Sequence, residues 1–94
     1  MTYELFVSEE FDNSFDDIRE YTIRSQIDAK ILQLKINAFL GKKLKGSKYW
    51  SLRVNKYRVI YFISGNTIQL MTILKRKHDY KELSSIHILR QKWN

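Results

Sequence analysis

The sequence predicts an α+β fold in which an antiparallel sheet has its helices packed on one face. Apolar residues recur at helical spacing through most of the first 41 residues. The later part of the chain contains runs of β-branched and aromatic residues at strand spacing, separated by short turn signals. One strand, two helices and a three-strand meander follow in that order. A chain of 94 residues forms one domain, which we expect to span residues 1–94.

The first strand and both helices are predicted before residue 42. Residues 3–7 alternate as a short strand, and Ser8 has the side chain of a helix N-cap. A break is expected around residues 21–24, after which Ser25 and Asp28, spaced as in a capping box, would start a second helix that ends at Gly41. The apolar stripes expected to cover the sheet are Phe11, Phe15 and Ile18 in the first helix, then Ile27, Ile31, Leu34 and Ala38 in the second, widened by Leu32, Ile36 and Phe39.

The stretch from residue 44 to residue 63 predicts the centre of the sheet. Trp50, Leu52 and Val54 fall on one side of a strand and leave Arg53 on the other. Arg58 interrupts the next run, which otherwise nearly lacks charge and suits a central strand. An arginine within such a strand is costly unless its face meets solvent or an anion. Two arginines on strands joined by a tight turn therefore indicate a positively charged sheet face, although solvated rim residues would give the same pattern.

The last elements are predicted from a turn signal and two further periodic segments. Residues 64–67 have turn composition, and residues 68–74 have the composition of a strand. A short C-terminal helix is expected from about residue 79 to residue 93.

Charge is separated along the chain. Residues 1–28 contain eight acidic residues and two arginines, a net charge of −6. Residues 29–94 contain fifteen basic and two acidic residues, a net charge of +13. Because solvated protein surfaces normally mix the two signs, this basic block indicates a polyanionic partner, of which nucleic acid is the commonest. A basic surface kept for solubility is the alternative interpretation.

Several functional classes are not expected. Without cysteine, the chain has neither a disulfide framework nor a thiolate zinc site. No acidic residue lies between Lys30 and Lys77, so we expect no metal and no cofactor, and we interpret His78 and His87 as structural. The N-terminus lacks the features of a signal peptide, and no apolar run approaches the roughly 20 residues of a membrane span. A soluble cytoplasmic protein with no membrane partner is expected.

Four motifs make the chain resemble the RelE/ParE superfamily of toxin–antitoxin toxins. The resemblance covers nearly the whole chain, because the two predicted helices ahead of the motifs also fit. In chain order the motifs are Leu44-Lys45-Gly46, Trp50-Ser51-Leu52-Arg53-Val54, Tyr57-Arg58-Val59-Ile60-Tyr61 and Arg76-Lys77-His78-Asp79-Tyr80.

The resemblance implies one of two activities. RelE-like members enter the ribosomal A site and cut mRNA there, whereas ParE-like members inhibit DNA gyrase and need no nuclease residues. We expect a metal-independent, ribosome-dependent endoribonuclease that is neutralised by an acidic, RelB-like antitoxin. Its other partners would be the ribosome, with its rRNA, and mRNA. A gyrase inhibitor, or an inactive RelE-like binding protein, is the alternative.

The resemblance also implies the site residues. Arg53, Arg58 and Arg76 match the basic positions of the active face, where arginine suits phosphate because its planar fork can bind bidentately. Tyr80 matches a tyrosine near the scissile phosphate, although a packing role would also fit this ring. Ser51 stands where many active members have lysine or arginine, which favours the alternative. Otherwise Lys45, Lys48 or Lys56 reaches in from a neighbouring loop, or the protein is a slower nuclease. The lysines expected to contact RNA or rRNA are Lys42, Lys43, Lys45, Lys48, Lys56, Lys75, Lys77 and Lys81.

Overall fold

A computed structural model describes residues 2–75, which form a five-stranded mixed sheet with two helices on one face. The strand order is β1-β5-β4-β3-β2; β1 pairs with β5 in parallel and the other neighbours are antiparallel. The predicted α+β fold is therefore confirmed, and the C-terminal helix expected at residues 79–93 lies outside the described residues. The elements are β1 (Glu4–Val7), α1 (Glu9–Asp16), α2 (Tyr21–Ile36), β2 (Lys42–Lys43), β3 (Tyr49–Val54), β4 (Tyr57–Ser64) and β5 (Thr67–Lys75).

Ser8 joins the first strand to the first helix and is the predicted N-cap. Its Oγ accepts a hydrogen bond from the backbone N–H of Phe11 at 3.0 Å and donates one to the carbonyl oxygen of Met71 at 2.8 Å. Its own N–H donates to the carbonyl oxygen of Leu70 at 3.1 Å. One buried serine thus starts α1 and holds that helix against β5, where β1 ends.

The predicted boundaries of the second helix were wrong. The break between the helices lies at residues 17–20, and Ser25 lies inside α2 rather than capping it. Ile23 explains the early start, since its side chain is buried and continues the Ile27 stripe by one turn towards the N-terminus. At the other end, α2 stops at Ile36 with Asn37 as its C-cap, so Gly41 does not terminate the helix.

The prediction that Leu32, Ile36 and Phe39 widen the buried apolar stripe of α2 was also wrong. Ile27, Ile31 and Leu34 are buried as expected, but the exposed fractions of Leu32 and Ile36 are 62% and 73%. A helix lying on a sheet buries only the stripe that faces the sheet, and these two side chains lie outside it. The third widening residue, Phe39, follows the helix and is also mostly exposed, although its ring meets Trp50 edge-on at 5.4 Å between centroids.

The strand predictions for the centre of the sheet were confirmed. Trp50, Leu52 and Val54 pack with the helices, and β4 lies in the middle of the sheet. A two-residue turn joins β3 to β4, with Asn55 in the left-handed region at φ 57°. A second tight turn, with Gly65 at φ 60°, joins β4 to β5.

Apolar side chains are buried on both faces of the sheet. The larger cluster lies between the sheet and the two helices. A smaller cluster on the opposite face consists of Tyr49, Ile60 and Met71, with Leu44, Phe62 and Leu74 packed against it. None of the helices within residues 2–75 is long and apolar enough to span a membrane.

Candidate nucleic-acid interface

Arg53 and Arg58 stand directly opposite each other in the β3–β4 ladder. Side chains alternate between sheet faces, and Leu52 and Val54 belong to the helix-covered core, so both arginines project from the other face. Residues directly opposite in an antiparallel pair have Cβ atoms about 4.5–5.5 Å apart. We call this surface the arginine face, and its members on the two strands are Tyr49, Ser51, Arg53, Arg58, Ile60 and Phe62.

The two arginines concentrate positive charge on adjacent strands. Like charges directly opposite in a sheet are destabilising, so the arrangement is not one that favours folding. Residues 29–75 contain ten lysines and arginines and no acidic residue. The salt bridges found within residues 2–75 join Arg24 to Asp16 at 3.7 Å and Lys56 to Glu20 at 3.0 Å, and Arg53 takes part in neither. A phosphate group is an anion that two guanidinium groups can bind bidentately.

Lys48 adds a further cation to the arginine face. Its Nζ lies 4.4 Å from the centroid of the Phe62 ring and 5.7 Å from that of the Tyr49 ring. These two rings are cross-strand partners and meet edge-on at 5.8 Å. Tyr49 and Arg53 are four residues apart on one strand, about 13 Å. The arginine face therefore has positive charge near both ends, with aromatic surface beneath the lysine.

Ser51 lies between these two groups of charges. It is opposite Ile60 in β4 and opposite Lys42 in β2. Ser51 is only 3% exposed, and its Oγ has no hydrogen-bond partner among the residues that the structure describes. Buried hydroxyl groups are nearly always paired, so this one calls for an explanation.

A hydrogen-bonded contact between Tyr61 and the segment after α2 positions β2. The Tyr61 hydroxyl donates to the carbonyl oxygen of Ala38 at 2.9 Å and accepts from the N–H of Gly41 at 3.1 Å. Burial raises the pKa of this phenol, which keeps its donating proton in place. A Cβ at position 41 would lie 2.7 Å from the phenolic oxygen and 2.8 Å from the carbonyl oxygen of Ser51, so only glycine fits here. Lys42 begins β2 immediately after this contact.

Two of the predicted RNA-binding lysines are directed away from the arginine face. Lys43 is opposite Trp50, and the Trp50 side chain packs with the helices. Lys56 lies in the β3–β4 turn, and its Nζ donates to a carboxylate oxygen of Glu20 at 3.0 Å. This hydrogen bond raises the pKa of Lys56 and lowers the pKa of Glu20. For Lys56 to contact RNA, its ion pair with Glu20 would have to open.

The remaining predicted site residues lie at the margins of the site or outside the described residues. Lys45 is exposed in the connection between β2 and β3, and Lys75 is exposed at the end of β5. The sequence interpretation did not recognise Lys42 as the neighbour of Ser51, because only the β2–β3 register brings them together. The predicted residues beyond residue 75 are Arg76, Lys77, Tyr80 and Lys81.

Solved structures of RelE and ParE toxins share this fold. A mutant of RelE from E. coli in the free state has a TM-score of 0.76 and 17% identity, with 96% of this chain and 98% of that chain covered. In the RelB–RelE antitoxin–toxin complex from Methanococcus jannaschii, the match has a TM-score of 0.66 and 26% identity over 80% of this chain and 94% of that chain. The chromosomal ParDE system of P. aeruginosa matches with a TM-score of 0.65 and 13% identity, covering 79% of this chain and 96% of that chain.

The class defined by the fold is therefore that of the small RelE/ParE toxins. A profile of the family described as ParE toxin of type II toxin-antitoxin system, parDE, matches residues 5–80. This chain belongs to that family, within the RelE/ParE superfamily that its motifs predicted, and is a toxin of a type II toxin–antitoxin system. No curated protein sequence matches the chain.

Proposed function

We propose that this toxin is a ribosome-dependent endoribonuclease that cuts mRNA in the ribosomal A site. The observation that carries the proposal is the cross-strand pair of Arg53 and Arg58 on a sheet face with no acidic residue in the surrounding segment. Inhibition of gyrase by contact alone would not require two guanidinium groups side by side at a cost in stability. A phosphate that becomes more negative during reaction does require them.

The proposed chemistry is the metal-free cleavage of an RNA phosphodiester. The ribose 2′-oxygen forms a bond to its own phosphorus and gives up its proton, the bond from phosphorus to the 5′-oxygen breaks, and that oxygen receives a proton. The products are a 2′,3′-cyclic phosphate and a 5′-OH. Arg58 and Arg76 would stabilise the charge that develops on the phosphorane oxygens, with Arg53 beside them. Tyr80 would stack on a base or assist the proton transfer; the roles of Arg76 and Tyr80 rest on their motif alone.

Ribosome dependence follows from the small number of groups available for proton transfer. The members of the arginine face on β3 and β4 are arginines, a serine, an isoleucine and aromatic rings, with Lys48 above them, and none is a carboxylate or a histidine. Glu4 projects from the same side of the sheet but lies on β1, two strands away from β4. Arginine cannot act as a base at neutral pH, because its guanidinium group does not give up its proton in proteins. The geometry of the reacting mRNA would then have to be supplied by the A site that holds it.

The proposed partners are rRNA, mRNA and an acidic, RelB-like antitoxin. The complex from Methanococcus jannaschii joins a RelB antitoxin to a toxin of this fold. The net charge of +13 on residues 29–94 suits binding both to ribosomal phosphates and to an acidic protein. Ribosome affinity should therefore fall steeply as salt is raised, by release of counterions.

A gyrase inhibitor is the second candidate, and two observations favour it. The matching family profile is that of ParE toxins, and position 51 has a small neutral serine where many nuclease members have a basic residue. An inactive RelE-like protein that acts only by binding would also be consistent with serine at position 51.

One experiment separates the candidates. The protein is added to a translation extract, and 5′-OH ends are mapped on the mRNA and on the same RNA without ribosomes; supercoiling by purified gyrase is assayed in parallel. The nuclease predicts cuts within translated frames and negligible cutting of free RNA. Inhibited gyrase with intact mRNA would establish the second candidate, and equal cutting of free RNA would contradict ribosome dependence.

A further inference from the structure

The β2–β3 register places a lysine beside the hydroxyl of Ser51. Lys42 is directly opposite Ser51, so the two side chains project from the same face, with Cβ atoms about 4.5–5.5 Å apart. Lys42 is also the diagonal neighbour of Arg53, which lies two residues further along β3. Diagonal neighbours are about 7–8 Å apart, within reach of long side chains. The cations of Lys42, Arg53 and Arg58 thus occupy three adjacent strands of the arginine face.

Ser51 offers a hydrogen bond that no residue of the described range 2–75 uses. Its Oγ is buried and without a partner among residues 2–75, between Lys42 on one neighbouring strand and Ile60 on the other. A serine hydroxyl can donate one hydrogen bond, and an anionic oxygen is its strongest acceptor. Lys42 forms no salt bridge within the described part of the chain, so its ammonium group is available to the same anion.

Buried contacts hold the backbone next to Lys42 in place. The hydrogen bonds of Tyr61 to Ala38 and Gly41 hold the backbone immediately before it. Close contact between Gly41 and the carbonyl oxygen of Ser51 sets the distance between β2 and β3 at this point. Because the backbone at Lys42 is already ordered, only its side chain loses conformational freedom when a ligand binds.

We propose that Lys42 and Ser51 form a second phosphate-binding position on the arginine face, which takes the RNA phosphate adjacent to the one held by Arg53 and Arg58. This rests on the proposed function in one respect, namely that the ligand is RNA. Lys42 contributes charge, and Ser51 contributes a directed hydrogen bond. In this arrangement the lysine on β2 supplies the positive charge that Ser51 cannot.

The test is the binding of a short single-stranded RNA with 2′-O-methyl groups, which prevent cleavage, measured by fluorescence anisotropy over a range of salt concentrations. For single strands, the logarithm of affinity falls with the logarithm of salt by about 0.7 for each phosphate neutralised. Lys42→Ala should therefore reduce this slope by about 0.7. Lys30→Ala is the matched control, because it removes the same charge from α2, on the other side of the sheet, and should keep the parent slope.

Ser51→Ala gives an independent readout that separates binding from folding. Loss of one hydrogen bond to an anion should weaken RNA affinity by about tenfold at every salt concentration, with an unchanged slope. The melting temperature should stay the same or rise, because the variant removes a buried hydroxyl for which residues 2–75 provide no partner. The proposal would be overturned if Ser51→Ala bound RNA as tightly as the parent, or if Lys42→Ala kept the parent's salt slope. It would also be overturned if the parent protein showed no salt-dependent affinity for RNA.

The outcome can be told apart from failure of the proposed function. Cleavage on ribosomes is measured separately for the same proteins. If the parent does not cut mRNA and yet Lys42→Ala lowers the salt slope, the nuclease assignment fails and the phosphate position stands. If the parent cuts mRNA and both variants bind RNA like the parent, the nuclease assignment stands and the second phosphate position is overturned.

Discussion

The hydroxyl of Tyr61 and the backbone N–H of Gly41 form a hydrogen bond of 3.1 Å, which joins the central strand β4 to the segment that leads into β2. The same hydroxyl donates to the carbonyl oxygen of Ala38 at 2.9 Å. One phenol therefore satisfies two backbone groups in a segment without regular structure. The same phenol also holds the backbone immediately before Lys42, the first residue of β2.

Tyr61→Phe should destabilise the protein by about 1–3 kcal/mol, because two backbone groups lose their partner. Gly41→Ala should also be destabilising, since its Cβ would meet backbone atoms of β3 that cannot move aside. Urea unfolding of both variants measures these changes. Tyr21→Phe is the matched control, because that ring is 81% exposed, and its stability should change by less than about 0.5 kcal/mol. Equal stability of Tyr61→Phe and Tyr21→Phe would mean that the contact does not hold the segment.

Arg58→Ala should slow single-turnover cleavage on saturated ribosome complexes by about 10²–10³, the usual effect of losing one transition-state donor. Ribosome binding should change little, since most of the other cations remain. Arg58→Lys should recover only part of the rate, because lysine keeps the charge but loses the planar fork. Arg24→Ala is a control on α2 that removes an arginine paired with Asp16. A parent-like rate in Arg58→Ala would show this arginine to be only a surface charge.

Tyr80→Phe should distinguish the two roles proposed for this tyrosine. If the ring only stacks on a base, phenylalanine keeps the cleavage rate, because it presents the same aromatic face. If the hydroxyl takes part in proton transfer, the rate should fall by about 10²–10⁴. Single-turnover rates at several pH values are the measurement, with Tyr80→Ala as the comparison that removes both roles. Full activity of Tyr80→Ala would eliminate this residue from the site.

The ion pair between Glu20 and Lys56 should contribute to stability only over a limited pH range. The pKa of Glu20 is lowered, so its contribution is present above the ordinary pKa of about 4.5 and is lost as pH falls through the lowered value. The pKa of Lys56 is raised, so its contribution is present below about 10.5 and is lost as pH rises through the raised value.

A double-mutant cycle with Glu20→Gln and Lys56→Met, followed by urea unfolding, measures this coupling. We expect a small favourable coupling at pH 7 that weakens with salt, because both groups are exposed, and none at a pH well below the lowered pKa of Glu20. The variant pair Asp16→Asn and Arg24→Ala tests the looser 3.7 Å contact in the same way and should couple less. Coupling that persists unchanged in strong acid would exclude an ionic origin.

The features that the sequence determined are those set by neighbouring residues. Ser8 caps α1 through a hydrogen bond with the backbone N–H of Phe11, three residues away. A two-residue turn is enough to connect β3 to β4 as antiparallel neighbours. Since strand side chains alternate faces, the spacing of Arg53 and Arg58 about that link places both on one face. These relationships depend on local dihedral angles and short hydrogen bonds, which the residue types specify directly.

The features that only the tertiary structure decided are those that join distant segments. Burial of Ile23 extends α2 on the N-terminal side of the apparent capping box at Ser25. The hydrogen bond to Glu20 directs the Lys56 side chain towards the helices. The register of a two-residue strand placed Lys42, and not its neighbour Lys43, beside Ser51. A shift of one residue in such a strand would exchange the faces of both lysines, and no local pattern selects between the two registers. The buried contacts of Tyr61 and Gly41 make that choice, because they fix the backbone one residue before the strand begins.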